Sequence, residues 1–498
     1  MSHTSRGGLA LSLLFAAVAW LPAARPPHAE FSFHRDHVLG TSFDLWVHAP
    51  SAADAEAAER AALDEIERLR LVLSTYDPAS EVCQLNRATG PVAASPEMIE
   101  ILKAYETWEA RSGGAFSGRV GELVRVWKDG EKADREPDAP TLQRIVDQLK
   151  RPGWTIRNGT VTRLTDQPLN LNAIGKGYII GRALAAIRAK VPSASAALLD
   201  IGGDMAAWGS WAIGIQDPFH PEQNAEPLAG LRLTAAAVAT SGGYQRFTTI
   251  GGKRYSHIFD PRTGQPAGGV AGVTVVAPDN VTANALATTL CVLSPDDGLK
   301  LVANTPGAAC LIVAADGTHF RSANLTTFEI LQEKKDEPKT DDKKAAKTDP
   351  WPEGYRVTIG VELPTVQANR YRRPYVAVWI EDADGKAVRS LTVWGNSNKY
   401  LKDLGDWWKF AKADAALVKG VTRATRGPGK YDVVWDGKDD KGKAVGQGTY
   451  TVRVEVHREF GKHLRQSGTI ACAAEGATVS LEKNEETGTT AVEYGKKK

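Results

Sequence analysis

Cysteine is scarce in this chain: four residues in 498, Cys83, Cys291, Cys310 and Cys472, too scattered to define a disulfide framework and with no pair at metal-ligand spacing. They read as small buried residues. Net charge is nearly absent as well, +2 from 61 basic and 59 acidic residues. Nothing in that balance points to nucleic-acid binding, and no nucleic-acid partner is expected. After the first thirty residues no apolar run is long enough to span a bilayer, so the chain is not expected to be an integral membrane protein.

The opening residues have their own pattern. Arg6 precedes an apolar stretch at 9–21, and small residues follow at Pro22, Ala23, Ala24 and Ala29. The stretch is shorter than the ~20 residues that a membrane span needs. A secretion signal over residues 1–29 is expected, with no cysteine placed for lipid attachment. The mature protein is expected to be periplasmic or secreted.

Length alone favours at least two domains. Residues 333–349 read EKKDEPKTDDKKAAKTD, a tract with almost nothing to bury, and Pro338 opposes a long charged helix. The expected organisation is therefore a large domain at 30–332, a charged linker at 333–350, a smaller domain at 351–485 and a polar tail at 486–498. In the smaller domain, strand-like runs rich in Val, Thr and aromatics occur at 355–363, 375–382, 387–394, 431–435 and 450–457. They predict an immunoglobulin-like, all-β sandwich. The aspartates Asp436, Asp439 and Asp440 lack a following acidic ligand at loop spacing and read as a solvated turn. Trp394, Trp407 and Trp408 read as core aromatics.

The large domain carries the chemistry. A short apolar strand is expected near Leu169, then a turn through Asn172, Ala173, Ile174, Gly175, Lys176 and Gly177, then a helix whose Ile180, Leu184, Ile187 and Val191 share one face. Glycines and a lysine at a helix start make an anion site, although glycines there are more often structural. Gly202-Gly203-Asp204 and Thr240-Ser241-Gly242-Gly243 are further glycine turns. His257 is expected at a strand end, before the polar turn Asp260-Pro261-Arg262-Thr263-Gly264, where it can act as a general base or a phosphate partner. A helix expected at 282–293 puts Asn284 and Thr288 on one face, as oxygen ligands suited to Mg²⁺.

Taken in order, Leu39-Gly40-Thr41, Ser74 to Asp77, Gly113 to Phe116, Ala173 to Gly177, Gly202 to Asp204, Thr240 to Gly242, His257 to Gly264 and Asn284 to Thr288 resemble the FAD:protein FMN transferase family, the ApbE-like flavin transferases formerly called thiamine biosynthesis lipoproteins. The resemblance spans residues 31–331. The 351–485 segment resembles an uncharacterised periplasmic domain (DUF2271-like) sometimes fused to such enzymes.

What the resemblance implies is an α+β protein: a mixed α/β domain that binds FAD with Mg²⁺ and transfers FMN to a Ser or Thr of an exported acceptor protein, releasing AMP. It implies that Leu39, Tyr76, Ala115, Phe116, Ser117, Asn170, Lys176, Ser241 and Ile258 line the cofactor site. His257 and Lys176 become the catalytic residues, and the Ala173 carbonyl, Asn284 and Thr288 the metal ligands. The family usually has Asp where this chain has Ser117, Asn170, Gly181 and Asn284, so metal affinity is expected to fall. Three other readings compete with an active transferase: a non-catalytic FAD-binding relative, an FAD pyrophosphatase, and an exported interaction protein dominated by the sandwich.

Overall fold

Burial alternates along Thr41–Ala49. Phe43, Leu45, Val47 and Ala49 are fully buried on one side, while Asp44, Trp46 and His48 take the other. A period of two makes this a strand with two unlike faces. The computed structural model describes residues 28–220, 224–225, 227–243, 247–330, 349–366, 372–395, 398–423 and 425–496. Most of the expected signal segment and of the charged tract falls outside these residues.

The strand belongs to an eight-stranded sheet, labelled β1 (Ala29–Val38), β2 (Thr41–Ala49), β3 (Ala196–Ile201), β4 (Asp204–Ile215), β5 (Ala229–Ser241), β6 (Val270–Ala277), β7 (Ala309–Ala314) and β8 (His319–Arg321). These eight lie side by side in chain order, and every pairing is antiparallel. Three helices matter for the site: α1 (Ala52–Leu73), α2 (Asn172–Lys190) and α3 (Asn280–Leu290).

Helix α1 starts where Ser51 accepts the Asp54 N–H, and it buries Ala55, Ala58, Ala62, Ile66, Leu69 and Leu73 along one stripe. This stripe, Ile180 and Ile187 of α2, and Leu286 and Leu290 of α3 share one core with Leu45, Leu199 and Val275 of the sheet. On the opposite face, Leu198, Trp211, Leu231, Leu233 and Leu311 pack beneath Leu325 and Phe328. The result is the mixed α/β arrangement expected from the sequence.

Two local expectations are corrected. No strand forms near Leu169, and residues 172–177 are the first turns of α2 and not a loop. Helix α3 begins at Asn280, because Asp279 caps it by accepting the Thr282 N–H, and it ends at Leu290.

In the C-terminal region all five expected strands form: β9 (Tyr355–Leu363), β10 (Tyr375–Glu381), β11 (Ala387–Trp394), β12 (Gly429–Trp435) and β13 (Gly448–His457). They are joined by β14 (His463–Cys472), β15 (Ala477–Leu481) and β16 (Thr490–Lys496). One sheet runs β12-β9-β16-β15 and the other β11-β10-β13-β14, with Thr422–Arg423 added at its edge. Val357, Ile359 and Val361 of the first sheet share a core with Val376, Val378, Val452 and Val454 of the second, which makes a sandwich.

The expected polar tail is corrected by β16. Thr490, Val492 and Tyr494 point inward while Ala491 and Glu493 face solvent, so a polar composition concealed a period-two strand. Trp394 and Trp407 are fully buried. Asp439 accepts the N–H groups of Lys441 and Lys443 within its own turn, and Asp440 reaches the Ser390 N–H.

Candidate functional site

The end of the sheet where β1 turns into β2 and β3 into β4 holds Leu39, Gly202 and Asp204, and Lys176 reaches it. Gly202 has φ +58°, and a Cβ there would stand 2.5 Å from the Thr41 hydroxyl, so only glycine lets the two turns touch. Leu39 lies in the first turn at φ +52°. Lys176, in the first turns of α2, reaches across to this point. Its Nζ is 2.6 Å from Asp204 Oδ2, 3.3 Å from the Ile201 carbonyl and 3.5 Å from that of Gly202.

Asp204 is buried, and its Oδ1 also faces the Thr240 N–H at 3.4 Å. Lys176 therefore has three protein acceptors for its three N–H groups, and it fastens the Gly202-Gly203 turn to α2 while bringing positive charge to the site. From sequence alone Asp204 has no role beyond its place in the Gly202-Gly203-Asp204 turn, and the structure makes it the ion-pair partner of Lys176. A carboxylate directly after paired glycines, at the head of an otherwise apolar strand, was the available signal.

Asp200 was missed as well. It stands opposite Asp44 across β2 and β3, and Asp44 accepts a 2.5 Å hydrogen bond at His34 Nδ1. Loss of hydration pushes the Asp200 carboxyl up to about 7, against the Gly203 N–H that it accepts and with the help of the nearby charges of Asp44 and Asp204. A raised carboxyl stabilises the fold below the unfolded value, near 4, and that contribution is lost as pH rises through 7. We expect Asp200→Asn to raise the melting temperature at pH 8 and to leave it nearly unchanged at pH 4. Equal shifts at both pH values in thermal unfolding would remove this explanation.

The flavin candidates come from several elements. Tyr76 follows the end of α1 with 85% of its surface exposed, beside Thr75, whose hydroxyl lies 3.4 Å from Asn172 Oδ1 at the start of α2. An aromatic ring so exposed is available for stacking. Ala115, Phe116 and Ser117 are buried, and the Phe116 ring stacks on Tyr105 at 5.1 Å. Asn170 donates its N–H to the Gly118 carbonyl at 2.7 Å, so the 115–118 and 170–172 segments lie together. Ser117 also lines a cleft of about 640 Å³ with Gly113, Gly114, Pro261 and Arg262.

Ile258 is buried in the main core. Ser241 ends β5 opposite Val273, and Gly243 packs against Ser256, the residue before His257. His257 itself is exposed, directly after the Lys253–Ser256 strand. The turn after it is self-braced: Asp260 accepts the Arg262 backbone N–H at 2.9 Å and binds its guanidinium, while Trp127 Nε1 donates to the Gly264 carbonyl.

Helices α2 and α3 cross at Gly177 and Asn284. A Cβ on Gly177 would lie 2.5 Å from Asn284 Nδ2 and 2.8 Å from the Asn280 carbonyl. Asn284 is buried and donates Nδ2 to that carbonyl at 3.1 Å, which leaves its Oδ1 as an acceptor. Thr288, one turn further, is half-buried, as is Ala173.

These groups supply a carbonyl, an amide and a hydroxyl oxygen, a donor set that suits a hard divalent cation but brings no negative charge. Among the described residues no group of three His, Cys, Asp or Glu is arranged to hold a metal. A cleft of about 600 Å³ runs past the same crossing, lined by Gly177, Tyr178, Gly181, Trp208 and Asn280. We expect Gly177→Ala to destabilise the protein by ~1–2 kcal/mol despite alanine's better helix propensity, since a backbone carbonyl cannot yield to the added methyl. Chemical denaturation checks it, and a gain in stability would show that the crossing has slack.

The sequence pattern described as the ApbE family matches residues 39–312, and the one described as a predicted periplasmic protein (DUF2271) matches residues 356–489. The chain is 29% identical over 314 residues to the FAD:protein FMN transferase of Treponema pallidum (strain Nichols), covering 58% of this chain and 86% of that one. It is 32% identical over 241 residues to an FAD:protein FMN transferase of Klebsiella pneumoniae (strain 342), covering 47% and 74%. Among solved structures, the ApbE protein of Thermotoga maritima superposes with a TM-score of 0.55 at 29% identity, over 61% of this chain and all of that one. The flavin transferase ApbE of Vibrio cholerae shares the fold, with a TM-score of 0.53 at 23% identity, over 61% and 100%.

Proposed function

We propose, from the premise that this chain belongs to the ApbE family, how its site performs the reaction of an FAD:protein FMN transferase. FAD is the substrate and a protein hydroxyl the acceptor. The acceptor oxygen attacks the phosphorus on the FMN side of the diphosphate. A new P–O bond forms as the bond to the bridging oxygen breaks, AMP leaves with that electron pair, and the acceptor proton passes to a base. His257 is the base in this reading, since it is exposed and directly follows Ser256, which packs against Gly243.

Lys176 contributes positive charge where the diphosphate sits, and Asp204 orients it. Leu39, Tyr76, Ala115 to Ser117, Asn170, Ser241 and Ile258 hold the flavin portion. The Ala173 carbonyl, Asn284 Oδ1 and the Thr288 hydroxyl would hold Mg²⁺, which supplies neutralisation of phosphate charge when bound. With no carboxylate among these ligands, the substrate's own phosphates must carry most of the cation's affinity.

The observation that carries this reading is the Lys176–Asp204 pair beside the Gly202-Gly203 turn, with the Gly177–Asn284 crossing one residue further along the same helix. The acceptor is proposed to be an exported redox protein, in keeping with the predicted periplasmic description of the C-terminal segment. No helix among the described residues is long and apolar enough to cross a membrane. The test is intact-mass analysis of a candidate acceptor after incubation with this protein, FAD and Mg²⁺. An acceptor heavier by the mass of FMN less one water, with AMP released in equal amount, is the expected result. AMP and free FMN without an adduct would mark a pyrophosphatase instead.

A further inference from the structure

The tip of the β1–β2 hairpin is held in a costly conformation. His37 and Leu39 both have left-handed backbones, φ +60° and +52°, and the β1–β2 register shifts between Arg35 and Val38. Side chains with a Cβ adopt that region at a cost, and they persist there only where surrounding structure imposes it. On one side the tip is held by the Thr41–Gly202 contact. On the other it meets the C-terminal sandwich.

Arg373, just before β10, donates Nε to Asp36 Oδ2 at 2.9 Å, and its Nη2 meets Asp36 Oδ1. That guanidinium is itself fixed, because Nη1 donates to the Thr425 carbonyl at 3.0 Å and the group packs against Gly427. Arg426 stands within electrostatic reach of Asp44 on β2, with its Nε buried and lacking a hydrogen-bond partner. A second clasp lies elsewhere: Asn224, in the β4–β5 connection, both donates to the Val434 carbonyl and accepts the Val434 N–H on the edge strand β12.

We propose that the sandwich is a positioning domain for the flavin site, with Arg373 as the positioning residue that holds the strained hairpin tip, and with it Leu39, through Asp36. A planar guanidinium bound to one carboxylate by two nitrogens fixes direction as well as distance, which a strained turn requires and a lone lysine would not supply. The inference rests on the placement of flavin at Leu39 proposed above.

The test uses the full chain. FAD affinity is measured by quenching of flavin fluorescence, FMN transfer at saturating FAD by intact mass, and backbone exchange at residues 35–43 by hydrogen–deuterium mass spectrometry. Arg373→Ala and Asp36→Ala should each weaken FAD binding about tenfold, as the fraction of chains keeping the competent tip falls. Transfer at saturating FAD should change less than about twofold, since binding refills that state. Exchange at 35–43 should rise. The exchanged pair, Arg373→Asp with Asp36→Arg, should recover most of the affinity, which a general loss of folding would not allow. Unchanged FAD affinity in both single variants would overturn the proposal, whatever happens to exchange. Failure of the unmodified protein to bind FAD would instead overturn the flavin reading, and this inference with it.

Discussion

Replacing His257 by Ala is expected to lower FMN transfer by about 10²- to 10⁴-fold, the range a positioned general base contributes, while FAD still binds. The two effects should separate because the base acts on the acceptor proton alone, whereas FAD binding is spread over many pocket contacts. His257 is exposed, whereas Phe116, Ser117 and Ile258 are buried in the protein and Tyr76 stands on the α1–α2 side. The attacking hydroxyl has to lose its proton as the phosphorus–oxygen bond forms, and among the proposed site residues His257 is the side chain suited to take it at neutral pH. His257→Gln is the informative companion. Glutamine keeps hydrogen-bonding capacity but cannot accept a proton in this range, so it should be as impaired as alanine if His257 is the base. If it only orients the acceptor, glutamine should recover much of the rate. A loss under tenfold in Ala, measured as FMN adduct per minute at saturating FAD, would remove His257 from the chemistry.

The second large effect is expected at Asn284. Asp at this position would restore the charge that the proposed metal ligands lack, and the Mg²⁺ concentration giving half-maximal transfer should fall roughly tenfold or more, about 1.4 kcal/mol per decade. Without metal the same change should be harmful. Asn284 is 6% exposed and donates Nδ2 to the Asn280 carbonyl. A carboxylate there loses that donor, sets negative charge against a carbonyl oxygen and lies under the close approach of Gly177. The expected cost is ~1–3 kcal/mol in metal-free unfolding, recovered when Mg²⁺ and FAD are added. If Asn284→Asp shifts neither the metal requirement nor the metal-free stability, Asn284 Oδ1 is not a ligand.

The two predictions rest on information of different kinds. His257 stands out in the chain because the polar turn Asp260-Pro261-Arg262-Thr263-Gly264 follows it, and the structure adds only its exposure and its neighbours. Asn284 and Thr288 share a helix face by spacing alone, but the cost of changing Asn284 follows from Gly177, 107 positions earlier, and from the Asn280 carbonyl it binds. The reading of Asn172 to Gly177 as a loop failed for a related reason. Glycine favours turns locally, yet here Gly177 is needed inside a helix so that a second helix can approach, and tertiary contact outweighed local preference. Thr490 to Lys496 misled through composition, since its inward Thr490, Val492 and Tyr494 alternate with polar residues that a tally counts equally.

By itself the sequence determined five strands of the sandwich and the two helices at the site, the two-part organisation, and the ordered glycine, lysine, histidine and threonine strings that identify the family. Such features are local, and a residue's neighbours along the chain suffice to reveal them. Only the tertiary structure decided that Lys176 is bound by Asp204, that Asp200 stands opposite Asp44, that α2 and α3 touch at Gly177, and that Arg373 of the sandwich grips Asp36 beside a strained turn. Each of these joins side chains far apart in the chain. Their energies depend on distance, direction and exclusion of water, which are set by the packing of the whole sheet and not by any short stretch of sequence.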